Sequence, residues 1–151
     1  MADKDPVPFV EKINTRYLET LLGYNARRAA LSIIGVFLER MAEYGLRPVD
    51  FSVMSLIAHN PGITSRQLCS ALGLLAPNLV GMVNALEKKG WIQRMPHPND
   101  GRATGLHLTD AGKVLMKEAE KTASQLEIDS TPKLSVEERK TLIGLLKKIY
   151  K

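Results

Sequence analysis

Asn78 and Arg102 are the side chains whose type and setting first suggest chemistry. Asn78 follows Pro77, where the first exposed turn of a helix is expected, and an amide there can pair with both polar groups of an adenine edge. Arg102 ends a run dense in turn formers, Pro96-His97-Pro98-Asn99-Asp100-Gly101, so its guanidinium is expected on an exposed hairpin tip. A carboxylate on the same tip repels phosphate, so Asp100 is expected to hold Arg102 by an ion pair. Thr64, Ser65 and Arg66 open another helix, whose free N–H groups favour phosphate, and Arg94 stands at the base of the hairpin within reach of a nucleic-acid backbone. Around Asn78 lie Ala76, Pro77, Val80 and Gly81, small and apolar. They allow close approach and contact with thymine methyls but offer few hydrogen bonds, so direct readout is expected to be sparse and DNA shape to contribute more. Asn84, further along the helix, is placed to reach a base or a phosphate. Each group also has a plainer role: Asn78 as a polar first-turn residue, Arg102 as an ordinary charged turn, Lys88 and Lys89 as complements to a helix dipole.

Other chemistries find little support. No nucleophile–base pair, phosphate-cradling glycine loop or paired acids stand out, so the chain is not read as an enzyme and no cofactor is expected. His59, His97 and His107 are scattered, and without a cysteine pair or carboxylate cluster no metal site is expected. Cys69 is the one cysteine and cannot form an internal disulfide, in keeping with a reducing compartment.

The elements that must position these groups follow from periodicity. From about Val10 to Tyr44 the spacing of Leu18, Leu21, Leu22, Leu31, Ile34, Leu38 and Met41 is helical, with Gly23 as a place for a bend. Gly45 stops that helix, and Arg47-Pro48 starts a short one to His59 with Phe51, Met54 and Ile57 inward. Asn60-Pro61-Gly62 is a turn. Thr64 and Gln67 form a capping box for a helix that buries Leu68 and Leu72 and ends at Gly73. Pro77 suits the first turn of the next helix, which buries Leu79, Val83 and Leu86 and closes at Lys88-Lys89-Gly90. Trp91–Met95 and Ala103–Leu108 read as two strands of a hairpin. Thr109 or Asp110 caps a long helix to about Ile128, Pro132 breaks it, and Ser135 with Glu138 caps a last helix with Leu142, Leu145, Leu146 and Ile149 on one face. The expected fold class is mainly α with a small β-hairpin wing: a winged helix-turn-helix of about six helices, dimerised through the N- and C-terminal helices. Residues 1–45 are an arm, loose around Pro6 and Pro8, and a dimerisation helix. Residues 46–112 are the DNA-binding module, and 113–151 complete the dimerisation region.

Bulk properties agree. The 151 residues are 44% hydrophobic and 25% charged, the balance of one globular domain. No apolar run would span a bilayer and no signal-peptide core is present, so a cytoplasmic location without membrane contact is expected. The net charge is +5. Residues 1–59 are balanced, with seven basic and seven acidic side chains, whereas residues 60–113 carry six basic and three acidic. The excess on the helix-turn-helix and hairpin has the sign of a phosphate-binding face.

Laid out in this way, the chain resembles the MarR family of winged-helix transcriptional regulators from about Leu22 to Leu115. The resemblance is carried by Gly23-Tyr24 with Arg27-Arg28-Ala29, by Leu46-Arg47-Pro48, by Asn60-Pro61-Gly62-Ile63-Thr64 and by Leu86-Glu87-Lys88-Lys89-Gly90. Most specific is Asp100-Gly101-Arg102 leading to Leu108-Thr109-Asp110-Ala111-Gly112. The resemblance implies a homodimer on a pseudo-palindromic duplex DNA site, with half-site centres about 34–36 Å apart. It also implies that Arg102 enters the minor groove beside the major-groove site, where narrow A·T-rich DNA attracts a guanidinium, and that the protein is a repressor whose DNA affinity is changed by a small phenolic or carboxylate ligand. The family's ligand pocket lies between the first helix, the second helix and the DNA-binding module. Tyr24, Arg27, Arg28 and His59 fit it as phenol partner, carboxylate-pairing guanidinium groups and switchable imidazole, although Arg27 and Arg28 equally suit inter-subunit salt bridges. Sensing cysteines of some relatives lie in the first helix, so Cys69 is expected to be a small buried residue. The alternative reading is a non-sensing architectural or protein-interaction module on the same fold.

Overall fold

The structure, a computed structural model, describes residues 9–151; the arm expected around Pro6 and Pro8 falls outside these residues. The described residues form seven α-helices and one hairpin: α1 Arg16–Glu19, α2 Leu22–Met41, α3 Pro48–His59, α4 Ser65–Leu72, α5 Ala76–Lys88, β1 Ile92–His97, β2 Asp100–Leu108, α6 Asp110–Asp129 and α7 Val136–Tyr150. The chain divides into two compact units after Ser32.

In the first unit the long helix expected from Val10 begins only at Arg16 and breaks at Thr20-Leu21. Gly23 lies in the first turn of α2, and the interruption falls just before it. The break is stabilised by polar side chains: the Asn25 amide donates to the carbonyls of Glu19 and Leu21, both at 2.8 Å, and Thr20 Oγ1 donates to Tyr17 O at 2.7 Å. Side chains that take over main-chain partners in this way compete with helix continuation.

In the second unit Met41, Met54, Ile57, Leu68, Leu79, Val83, Leu86, Ile92, Leu106, Leu108 and Met116 make the buried core. Fully burying side chains of this size is worth about 1.5–3 kcal/mol each against exposure. Phe51 and Leu72, both expected inside, are half-buried at its margin. Phe51 packs edge-on against Phe37 with ring centroids 5.6 Å apart.

The joints explain the short motifs. Pro48 is the first residue of α3, and Asp50, only 4% exposed, accepts from Arg47 Nε at 2.7 Å, Arg47 Nη2 at 3.0 Å and the Arg47 main-chain N–H at 3.3 Å. A buried carboxylate is tolerable because these donors satisfy it. Gly62 N donates to Leu106 O and Leu106 N to Ile63 O, each at 2.9 Å, so the Pro61-Gly62 turn lends a one-residue third strand to the hairpin. Thr109 caps α6, accepting from Gly112 N at 3.1 Å, while its hydroxyl donates to Gly90 O at 2.6 Å. It thereby pins the end of the hairpin to the end of α5. Gly112 has no alternative at this joint, because a Cβ there would lie 2.1 Å from Trp91 O. The Ser135–Glu138 capping box forms as expected, with Glu138 N donating to Ser135 Oγ at 3.1 Å and Ser135 N to Glu138 Oε2 at 2.8 Å.

Candidate nucleic-acid interface

The helix-turn-helix is built from α4 and α5. Thr64 caps α4, accepting from Gln67 N at 3.3 Å while Gln67 Oε1 accepts from Thr64 N at 3.0 Å. Gly73 terminates α4 with φ of 63°, the left-handed conformation that glycine adopts without a side-chain clash. The chain turns through Leu74 and Leu75, and the two helix axes are bent by 116°, within the range of helix-turn-helix motifs. Leu79, Val83 and Leu86 anchor α5 in the core. That anchoring leaves Ala76, Pro77, Asn78, Val80, Gly81 and Asn84 on its exposed side, together with Leu75 ahead of it. Ser65 and Arg66 are likewise exposed at the start of α4.

The hairpin runs longer than expected. β1 extends to His97 and β2 starts at Asp100, leaving Pro98-Asn99 as the tip, with an irregular register after Pro96. Pro96 fits because a two-stranded ribbon has an outer edge that needs no N–H donor. The expected ion pair between Asp100 and Arg102 does not form. Asp100 Oδ1 instead accepts the main-chain N–H of Arg102 at 3.0 Å, a local side-chain-to-backbone bond of the kind that fixes turns. The Arg102 side chain remains exposed. Arg94 does not stand free at the wing base either: Nε donates to Glu87 Oε2 at 2.9 Å and Nη2 to Asn84 Oδ1 at 2.6 Å. Three side chains from α5 and β1 thus form one exposed polar cluster. Lys89 turns back from the exposed side of α5, its Nζ 4.7 Å from the Trp91 ring centroid and 3.4 Å from Gly45 O.

Of the expected ligand residues, Tyr24, Arg27 and Arg28 lie on α2 in the first unit and His59 ends α3 in the second. His59 Nε2 lies 2.9 Å from Glu120 Oε1, which also accepts from Ser55 Oγ at 2.7 Å. A cavity of about 580 Å³ opens beside this cluster, between α3, the hairpin and α6, lined among others by Ile57, Met95, Met116, His107, Lys113 and Lys117. Glu87, Leu75, Glu120 and the two cavity lysines were not singled out in the sequence. Lys113 and Lys117 stand one helical turn apart, a spacing visible in the sequence, but only folding puts a hairpin opposite them. Cys69 is half-buried against the core.

An exposed helix N-terminus beside a hairpin that ends in an exposed arginine, both fixed to one core, defines a winged helix-turn-helix protein of the kind that regulates transcription. The MarR family model matches residues 46–104. A Thauera aromatica protein named as a transcriptional regulatory protein for the hcr operon is 34% identical over 131 residues, covering 86% of this chain and 79% of its own. The multiple antibiotic resistance protein MarR of Escherichia coli is 32% identical over 117 residues, covering 74% and 81%. The chain belongs to the MarR family. Among solved structures, the transcriptional repressor CouR bound to a 23-mer DNA duplex is similar with a TM-score of 0.87 and 35% identity over 93% of this chain and the whole of that one. CouR bound to p-coumaroyl-CoA gives a TM-score of 0.80 over 93% and 97%.

Proposed function

We propose that this protein is a homodimeric repressor that binds a pseudo-palindromic operator and is released from it by a small aromatic or carboxylate-bearing ligand. The observation that carries the reading is the pairing of an exposed α5 N-terminus with the exposed wing residue Arg102. The first suits a major groove and the second the adjoining minor groove. Thr64, Ser65 and Arg66 supply phosphate contacts, and Asn78, Ala76, Pro77, Val80, Gly81 and Asn84 face the bases. Residues 46–112 act as the DNA-binding module and the flanking segments as the dimerisation region.

A second copy is invoked because large apolar side chains lie open on the terminal helices, among them Leu22 at 68%, Leu145 at 54% and Ile149 at 62% exposure. Surfaces of this kind mark association sites. Ligand response is supported by the complex of CouR with p-coumaroyl-CoA and by the cavity, where Lys113 and Lys117 can meet an anionic group and Met95, Met116 and Ile57 an apolar one. His59, on α3 and paired with Glu120 of the cavity wall, is a proposed effector contact; Tyr24, Arg27 and Arg28 on α2 are proposed separately, in the first unit. The ligand acts only through its different affinities for the DNA-competent and the released arrangement.

The test is fluorescence anisotropy on the intergenic DNA flanking the protein's own gene, with a thermal-shift screen of phenolic acids and their coenzyme A thioesters. A compound that raises Tm and also weakens DNA binding supports the reading. DNA binding that no stabilising compound alters would favour a non-sensing architectural protein.

A further inference from the structure

The exposed side of α5 is apolar where it leaves the helix-turn. Leu75, the residue before the helix, is 72% exposed and Val80 is 53% exposed. Ala76, Pro77 and Gly81 add only C–H surface, and Pro77 also removes a main-chain donor. Of the polar side chains on this side, Asn84 is engaged by Arg94. Leaving Leu75 and Val80 in water brings the folded monomer no burial. Nor do they belong to the apolar surfaces of α2 and α7, which lie on other elements.

Gly81 is an independent sign of the same kind. It lies inside α5, where glycine is less favourable than alanine, and a Cβ built on it meets nothing within 4 Å. The fold therefore does not require glycine at this position. What its missing side chain permits is close approach of another molecule to the helix backbone.

We infer that Leu75, Val80 and Gly81 form a methyl-reading surface, which selects DNA by the C5-methyl groups that thymine projects into the major groove. The inference rests on the reading that α5 enters that groove, and it names what the helix recognises there. The chemistry matches. In the major groove the C5-methyl is the apolar feature of the four base edges, and it is contacted by apolar side chains. The charge matches too, because α5 and its neighbours carry exposed cations: Arg66 on α4, Lys88 at the far end of α5 and Arg102 on the wing. Cations suit phosphates, and apolar groups suit base edges. Asn78 then supplies the one hydrogen-bonded reading of an adenine beside the methyls. A 5-methylcytosine carries the same methyl, so the two sources must be separated by experiment.

The full-length protein is used to select duplexes from a random library, and the selected duplex is resynthesised with deoxyuridine at single thymine positions. This change removes the methyl and keeps every hydrogen-bonding group. Burial of one methyl predicts an affinity loss of about fourfold per critical position. Val80→Ser and Leu75→Ala, both at exposed sites, should fold with unchanged Tm and bind the thymine and deoxyuridine duplexes equally. Gly81→Ala should raise Tm by roughly a few degrees while weakening binding to the selected duplex more than tenfold. Selection from the same library after CpG methylation is the second arm, and preferential recovery of methylated CpG would overturn the assignment to thymine. Equal binding of thymine and deoxyuridine duplexes by the wild type overturns the inference while leaving DNA binding intact. Failure to recover any duplex overturns both. A Leu75→Ala or Val80→Ser variant that discriminates as the wild type does removes that residue from the surface, as does one that changes self-association instead.

Discussion

Arg94 on the first wing strand donates from Nε to Glu87 Oε2 on α5 at 2.9 Å, so the wing and α5 are joined by side chains as well as by the core. The same guanidinium reaches Asn84 Oδ1 at 2.6 Å. Because the two partners of the ion pair are 40% and 43% exposed, solvent screens it, and its direct worth to stability is below about 1 kcal/mol. Its effect lies in orientation: an arginine held by Glu87 cannot offer its full charge to phosphate.

Glu87→Gln tests that restraint. Stability measured by urea unfolding should fall by less than about 1 kcal/mol. Affinity for non-specific DNA should rise severalfold, because a negative charge has left the interface and Arg94 is released. The ratio of specific to non-specific affinity should therefore fall. An unchanged ratio would show that the Glu87 bond does not orient Arg94 for binding.

Arg102→Ala should weaken binding broadly across sequences and reduce the slope of log K against log salt by about 1, as expected for one lost cation in a groove. The measurement is anisotropy at several salt concentrations. Asp100→Ala separates tip order from charge: it removes the acceptor of the Arg102 N–H yet also removes a repulsive carboxylate. Non-specific affinity should hold or rise while the preference among operators falls.

Asn78→Ala should cost about 1–3 kcal/mol on the preferred operator and relax selection at one base position per half-site. Competition among operator variants reads this directly. An equal loss on all sequences would reassign Asn78 to the phosphate backbone.

Gly112→Ala should destabilise the fold by about 1–3 kcal/mol, since the added Cβ would sit 2.1 Å from Trp91 O and the packed joint must open to admit it. Chemical denaturation checks the size. A variant as stable as the wild type would show that the Thr109–Gly90 joint is not rigid.

Asp129 provides the pH prediction. Hydrogen bonds from Arg40, then from Gln125, hold its carboxyl below the ordinary carboxylate value. A depressed folded-state pKa means that the contribution is complete above the unfolded value, about 3.9, and is lost as pH falls from there through the lower folded value. Asp129→Asn should therefore lower the urea midpoint at neutral pH, with the difference from wild type shrinking below about pH 4. A difference that stays constant down to pH 2.5 would rule out the ion pair as its source.

The sequence by itself determined the local grammar. Thr64, Gln67, Ser135 and Glu138 act through bonds to neighbours within a few residues, and Gly73 and Pro77 through their own backbone angles, so the helix ends they set could be read directly. The Asp100–Arg102 spacing likewise marked the wing tip, and the order of helix, turn, helix and hairpin specified the family. Only the tertiary structure decided which partner each polar group takes. Asp100 bonds a backbone N–H rather than a guanidinium, Arg94 is held by Glu87 and Asn84, and His59 faces Glu120, sixty-one residues away. Hydrogen-bond partners distant in the chain are chosen by packing geometry, which periodicity does not encode. The same holds for exposure. Val80 and Leu79 are adjacent apolar residues, but the rotation of α5 against the core buries one and leaves the other open.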